Sequence, residues 1–166
     1  MEATQSAIQS LAVEKFIVFT IADYFLALPI AEVLRVVNCP AKTSSELEEI
    51  GMLQIDRYVI RVLDLHQQLN EALSQRPKDP SFLVITQNSE GELWGIPVDK
   101  PPNVMEFPIQ MMRPLPSGEF NLLKIASHVA VISHEKVTAT IFLVDLKRVL
   151  NHSADLQKIL SCSNPD

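Results

Sequence analysis

The sequence predicts a mainly β protein made of two small five-stranded β-barrel subdomains packed together, with short helices after each barrel and a C-terminal helix. Short runs rich in β-branched and aromatic residues recur along all 166 residues, separated by turn residues. Each half then closes on the same join, "RVLDL" at 61–65 and "FLVDL" at 142–146, where a strand gives way to helix formers. Each half also carries a proline-broken strand end at the corresponding place, "ALPIAEV" at 27–33 and "GIPVDKP" at 95–101. Together these describe an internal duplication. Halves of this size bury too little surface to stand alone, so they are expected to pack on one another. The segments expected are an arm over 1–14, a first barrel with its trailing helix over 15–77, a second barrel over 78–150, and a helix and tail over 151–166.

Taken in order, the polar start "MEATQSAIQS" predicts a loose arm. "FIVFTIAD" reads as a buried strand, Ala22-Asp23 as a turn, and "YFLALPI" as the returning arm, which ends near Pro29 because proline cannot donate to a ladder. "AEVLRVV" predicts a brief turn followed by a strand, given its β-branched tail. Ser44 or Ser45 followed by Glu48 is a capping pattern for one helical turn. "MLQI" and "YVIRVL" form a hairpin around Asp56-Arg57, a pair that tight turns do not favour. Asp64 caps a helix over "DLHQQLNEALSQR", and "RPKDP" stops it.

In the second half, "SFLVITQ" and "ELWGIPVD" pair across the turn "NSEG". The stretch "KPPNVMEFPIQMMRPLPSGEF" holds too many prolines to stay regular for long. "HVAVIS" and "KVTATIFLV" make the last hairpin, turning around His134-Glu135, and Asp145 caps the closing helix.

Composition excludes several classes. Net charge is −6 with a pI near 5.2, which argues against nucleic acid as a partner. No apolar run is long enough to span a bilayer, so no direct membrane insertion is expected, and the start lacks the marks of a signal peptide. Cys39 and Cys162 are far apart in the chain, which predicts reduced thiols and a cytoplasmic protein. His66, His128, His134 and His152 fall into no metal-binding spacing, and four glycines leave no phosphate-cradling loop. Cys39 with a histidine brought near by the fold is the one enzyme reading, and a catalytic thiol would alkylate faster than Cys162. Asp64 and Asp145 could be a carboxylate pair, but each stands where a helix cap belongs. No enzyme, cofactor or metal is expected.

What remains is surface for partners. "AEVLRVV" mixes Val33, Leu34, Val36 and Val37 with Glu32 and Arg35, a composition suited to a contact patch or to core. Trp94, the single tryptophan, reads as core before it reads as an interface anchor. Met105, Met111 and Met112 suit either an adaptable surface or an irregular gap in the core.

The ordered set of motifs resembles the CheW-like family of chemosensory coupling proteins. "FIVFTIAD" is similar to that family's opening strand and "LPIAEVLRVV" to its proline-broken strand and contact segment. "GMLQIDRYVIRVLDL", "WGIPVD" and "MMRPLP" are similar, in the right order, to later family elements. The resemblance covers about residues 16 to 150. It implies a double barrel and a non-enzymatic adaptor for chemotaxis or pilus-based motility. Such an adaptor joins the cytoplasmic tips of methyl-accepting chemoreceptors to the regulatory domain of a CheA-type histidine kinase. By position, the kinase-facing patch implied comprises Val33, Arg35, Val36, Gly51, Gln54, Asp56 and Arg57. The implied receptor groove between subdomains includes Val98 and Val104. Two departures stand out: Asp56-Arg57 replaces the family's Arg-Gly, and Arg35 stands where family members are often acidic. Reversed signs at contact positions imply altered partner choice. The alternative is a CheW-like module repurposed for a different, non-receptor partner.

Overall fold

The computed structural model describes residues 12–39, 47, 49–69 and 81–150. Its strands are β1 (Val13–Ile21), β2 (Tyr24–Pro29), β3 (Val33–Asn38), β4 (Met52–Ile55), β5 (Tyr58–Val62) and β6 (Phe82–Gln87). They continue with β7 (Leu93–Val98), β8 (Asn103–Pro108), β9 (Arg113–Pro114), β10 (Ala126–His134) and β11 (Val137–Val144). Helices follow at α1 (Leu65–Leu69) and α2 (Asn121–Ile125), with 3₁₀ turns at Ile30–Glu32 and Ile109–Met111. A further helix, α3, is entered at 146–150.

The strands form two sheets, ordered β8-β1-β2-β11-β10-β9 and β3-β6-β7-β5-β4. The mainly β, two-subdomain architecture is therefore present, but the sheets do not follow the expected limits of 15–77 and 78–150. Each sheet takes its first hairpin from one half of the chain and its other strands from the other half. β11 runs parallel to β2, with Ile141 to Leu143 opposite Phe25 to Ala27, and β5 runs parallel to β7 through Arg61 and Val62 opposite Trp94 and Gly95. The two halves offer nearly equivalent ladders, so which hairpin fills each sheet follows from how the apolar faces are buried between and within the sheets.

Three apolar clusters hold the sheets. The largest lies between them, with Ile17, Phe19, Leu26 and Leu28 meeting Val84, Ile96 and Val98, and with Leu65 and Leu146 from the helices. A second cluster gathers Phe16, Val18, Ala27, Phe107, Ala130 and Ile141 on the opposite face of the six-stranded sheet. Phe107 on edge strand β8 and Ala130 on β10 share that cluster, so the sheet curls into a half-barrel. The third cluster joins Leu53, Ile60, Leu83 and Ile85, with Val37 and Ile55 from opposite edges packed against it, so the five-stranded sheet curls too.

Local expectations hold at both joins. Asp64 Oδ1 accepts from the Gln67 N–H at 3.2 Å and Asp145 Oδ1 from the Arg148 N–H at 3.3 Å, so each aspartate caps its helix. Arg148 Nη1 also donates to the Leu123 and Ala126 carbonyls at 3.0 Å, tying α3 to the end of α2.

Other details differ. β1 begins at Val13, within the expected arm, because its pairing with β8 reaches Pro108. The last hairpin turns at Glu135-Lys136 rather than His134-Glu135, both residues at positive φ. Ala22-Asp23 turns as expected, likewise at positive φ for both. The proline-rich stretch holds the six-residue β8, because Pro108 closes the strand rather than interrupting it. The capping pattern at Ser44, Ser45 and Glu48, the helix beyond Leu69, and the segment 151–166 lie outside the described residues.

Candidate functional site

Among the described residues, the five-stranded sheet ends on two strands with one neighbour each, β3 and β4. On β3, Val33 is half-buried while Leu34, Arg35 and Val36 are exposed. A register shift lies between Val33 and Arg35 against β6, so Leu34 is the extra residue of a bulge and stands half out in solvent. Just before this edge, Glu32 has its carboxyl raised above the usual glutamate range. Partial loss of water is the main cause and the Asp145 carboxylate adds to it, while Lys147 opposes.

The other edge is the β4–β5 hairpin. Gly51 turns at φ 74°, and a Cβ there would touch nothing within 4 Å, so it is conformation that calls for glycine. The Gly51 carbonyl accepts from the Val62 N–H at 2.8 Å. Gln54 Nε2 donates to the Asp56 carbonyl at 3.2 Å and braces a turn in which Asp56 has φ 53°. Gln54, Asp56 and Arg57 are all exposed.

The residues singled out on β3 and on the hairpin thus share one sheet but occupy its opposite edges, with β6, β7 and β5 between them in the ladder. Curling brings the inner sides of both edges onto one cluster, through Val37 and Ile55. The two groove residues differ from one another. Val104 is 56% exposed on β8, whereas Val98 is fully enclosed in the core between the sheets. A partner can touch Val104 but not Val98, because the inter-sheet cluster occupies every side of the latter.

Leu34, named with the contact segment, is exposed on β3, and three exposed apolar residues of the hairpin edge were not singled out from sequence: Ile50, Tyr58 and Val59. Pairing contains the signal for one of them. Gln54 lies opposite Val59 and Leu53 opposite Ile60, so the polar Gln54 marks the outward face that Val59 shares.

Trp94 is core: it is buried between the sheets, and the Arg61 guanidinium lies 5.3 Å from its ring centroid while approaching Glu92 at 4.0 Å. Met112 fills core, Met105 is half-buried and Met111 is exposed. Cys39 is half-buried at the end of β3, its N–H bonded to the Ser81 carbonyl at 3.0 Å. His66 Nδ1 stands 3.7 Å from Asp64 Oδ1. Among the described residues no group of three or more His, Cys, Asp or Glu side chains is placed to hold a metal ion. No described helix is long and apolar enough to cross a membrane.

The family model for the CheW-like domain matches residues 15–154. The chain belongs to the CheW-like domain family. CheW-like proteins are non-catalytic scaffolds of chemotaxis signalling, and this chain is such a scaffold rather than an enzyme. Its fold is similar to that of the crystallised scaffolding protein TtCheW from Thermoanaerobacter tengcongensis, with a TM-score of 0.61 at 20% sequence identity. That similarity covers 81% of this chain and 90% of TtCheW. No curated protein matches the sequence.

Proposed function

We propose that this CheW-like protein is a cytoplasmic adaptor coupling the tips of methyl-accepting chemoreceptors to the regulatory domain of a CheA-type histidine kinase. The observation that supports this is the exposure of apolar side chains on both free edges of the five-stranded sheet. Leu34 and Val36 flank Arg35 on one edge, while on the other Tyr58 and Val59 follow Asp56-Arg57 and Ile50 lies at the far end of the hairpin. A free strand edge with exposed apolar residues is a template for docking β-structure, and monomeric proteins ordinarily blunt such edges. Charges beside the apolar residues then select among partners. The kinase-facing residues are Val33, Arg35, Val36, Gly51, Gln54, Asp56 and Arg57. In the receptor groove Val104 makes contact, while Val98 acts from within the core.

Titration against the regulatory domain of the chemosensory kinase from the same organism tests this. Micromolar or tighter binding is expected, with Arg35→Glu and Asp56→Arg each weakening it roughly tenfold and leaving the circular dichroism unchanged. If the folded protein binds no such kinase, the reading fails in favour of a CheW-like module serving a non-receptor partner. The Asp56-Arg57 charge pair at the docking turn is what favours that second reading.

A further inference from the structure

The curled six-stranded sheet is filled at one end and open at the other. At the filled end Phe16 stacks on Phe107, ring centroids 4.3 Å apart and nearly parallel. Along β1 on the same face come Val18 and then Thr20, and beyond them the interior opens into a hollow of about 380 Å³. Val18, Met105, Ala139 and Ile141 supply its apolar wall, and Phe25 stands beside it, 43% exposed. The rim carries Thr20, Asn103 and Lys100, the last being the one charged residue among the described residues that line it.

This hollow is separate from the proposed groove between the subdomains. Side chains alternate along a strand. Val104 lies opposite Ile17, which packs in the inter-sheet core, whereas Met105 lies opposite Phe16 and packs inside the half-barrel. One residue's shift along β8 therefore passes from groove to hollow. The hollow is equally remote from β3 and β4, which belong to the other sheet.

We propose that the hollow is a binding site for a small amphiphile with an aliphatic body and one carboxylate. Its volume falls in the range of small-molecule sites, and barrel mouths are among the places where such sites occur. The apolar wall suits a hydrocarbon chain, and the rim supplies one cation with an amide and a hydroxyl as further donors. A carboxylate at Lys100 gains a charge-assisted hydrogen bond that a neutral or cationic head forgoes. The site does not depend on the protein's being a kinase adaptor.

Octanoate is the probe, with octanol and octylamine as controls, followed by methyl and amide NMR on the full chain. Octanoate is expected to shift signals of Val18, Met105, Ala139, Ile141 and Lys100, and to bind at least about tenfold more tightly than octylamine. Lys100→Glu, at an exposed position, is expected to weaken octanoate about tenfold while leaving the melting temperature unchanged. Ala139→Leu, which fills the hollow, is expected to abolish the shifts in a protein that still melts cooperatively. Shifts scattered over the surface, equal binding of octylamine, or octanoate binding indifferent to Lys100→Glu each overturn the proposal.

Discussion

The six-stranded sheet has an added strand and a stacked aromatic pair inside it, whereas the five-stranded sheet ends on a bulged β3 and an exposed β4–β5 turn. The contrast is sharp because the two sheets are built alike. If β1 to β5 of the first half correspond to β6, β7, β8, β10 and β11 of the second, the orders are the same once primes mark the second half. One sheet reads 3′-1-2-5′-4′ and the other 3-1′-2′-5-4, so the halves have exchanged their first hairpins. The differences are additions. In the six-stranded sheet β9 covers part of β10, at His128 and Val129, and the Phe16–Phe107 stack fills one end of the interior. The five-stranded sheet has neither addition. Duplication supplied two equivalent frames, and the one without these additions carries the β3 bulge and the Asp56-Arg57 turn proposed for partners.

The largest expected effect sits at the equivalent pair Phe16 and Leu83, each fully buried and each opposite the strand proline of its hairpin, Pro29 or Pro97. Phe16→Ala should cost about 3–5 kcal/mol and Leu83→Ala about 2–5, measured by urea unfolding. Because only Phe16 has a stacked partner, its loss should be the greater; the reverse order would deny that the stack sets the two sheets apart.

Next comes the pair Ala27 and Gly95. A Cβ at Gly95 would stand 2.9 Å from Leu83 Cγ and from Ile60 Cδ1, while Ala27 already carries a buried methyl group. Gly95→Ala should therefore destabilise by about 1–3 kcal/mol. Ala27→Gly should cost roughly 1–2 kcal/mol, through backbone entropy and the loss of one buried methyl group. Equal melting temperatures for the two variants would remove this asymmetry.

Asp64→Ala and Asp145→Ala each remove a helix cap and should cost about 1 kcal/mol. The second should cost less, since it also relieves the repulsion felt by Glu32. Replacing Glu135-Lys136 by Asn-Gly should stabilise the last hairpin by about 0.5–1 kcal/mol, because both positions have positive φ without glycine.

The smallest effect concerns pH. The Glu32 carboxyl is raised above its ordinary value of 4.5, so its ionised form opposes folding. The opposition is complete above the raised value and absent below the ordinary one. Glu32→Gln should therefore melt slightly higher than the parent at neutral pH. The gap should close as pH falls through the raised value toward 4.5. A gap that widens in acid would contradict the assigned causes.

Much of the candidate site was legible because its elements are local. The turn and strand at "AEVLRVV", the hairpin around Asp56-Arg57 and both aspartate caps depend on residues within a few positions of one another. Val98 was misjudged as a contact residue for the opposite reason. Its burial comes from strands of the other sheet, and nothing in "GIPVDKP" announces them. Tyr58 and Val59 were missed as surface because an apolar residue reads the same whether it faces core or partner.

By itself, the sequence determined that the chain is β-rich and duplicated, where both aspartate caps and the Ala22-Asp23 and Asp56-Arg57 turns fall, and which family it joins. Those properties rest on side-chain chemistry and spacing along the chain. Only the tertiary structure decided which hairpin pairs with which strands, hence that each sheet is shared between the halves and that β9 is added to one of them alone. Duplicated strands offer nearly equivalent ladders, so their local patterns cannot rank the partners. The choice follows from how the apolar faces are buried once the whole chain is assembled.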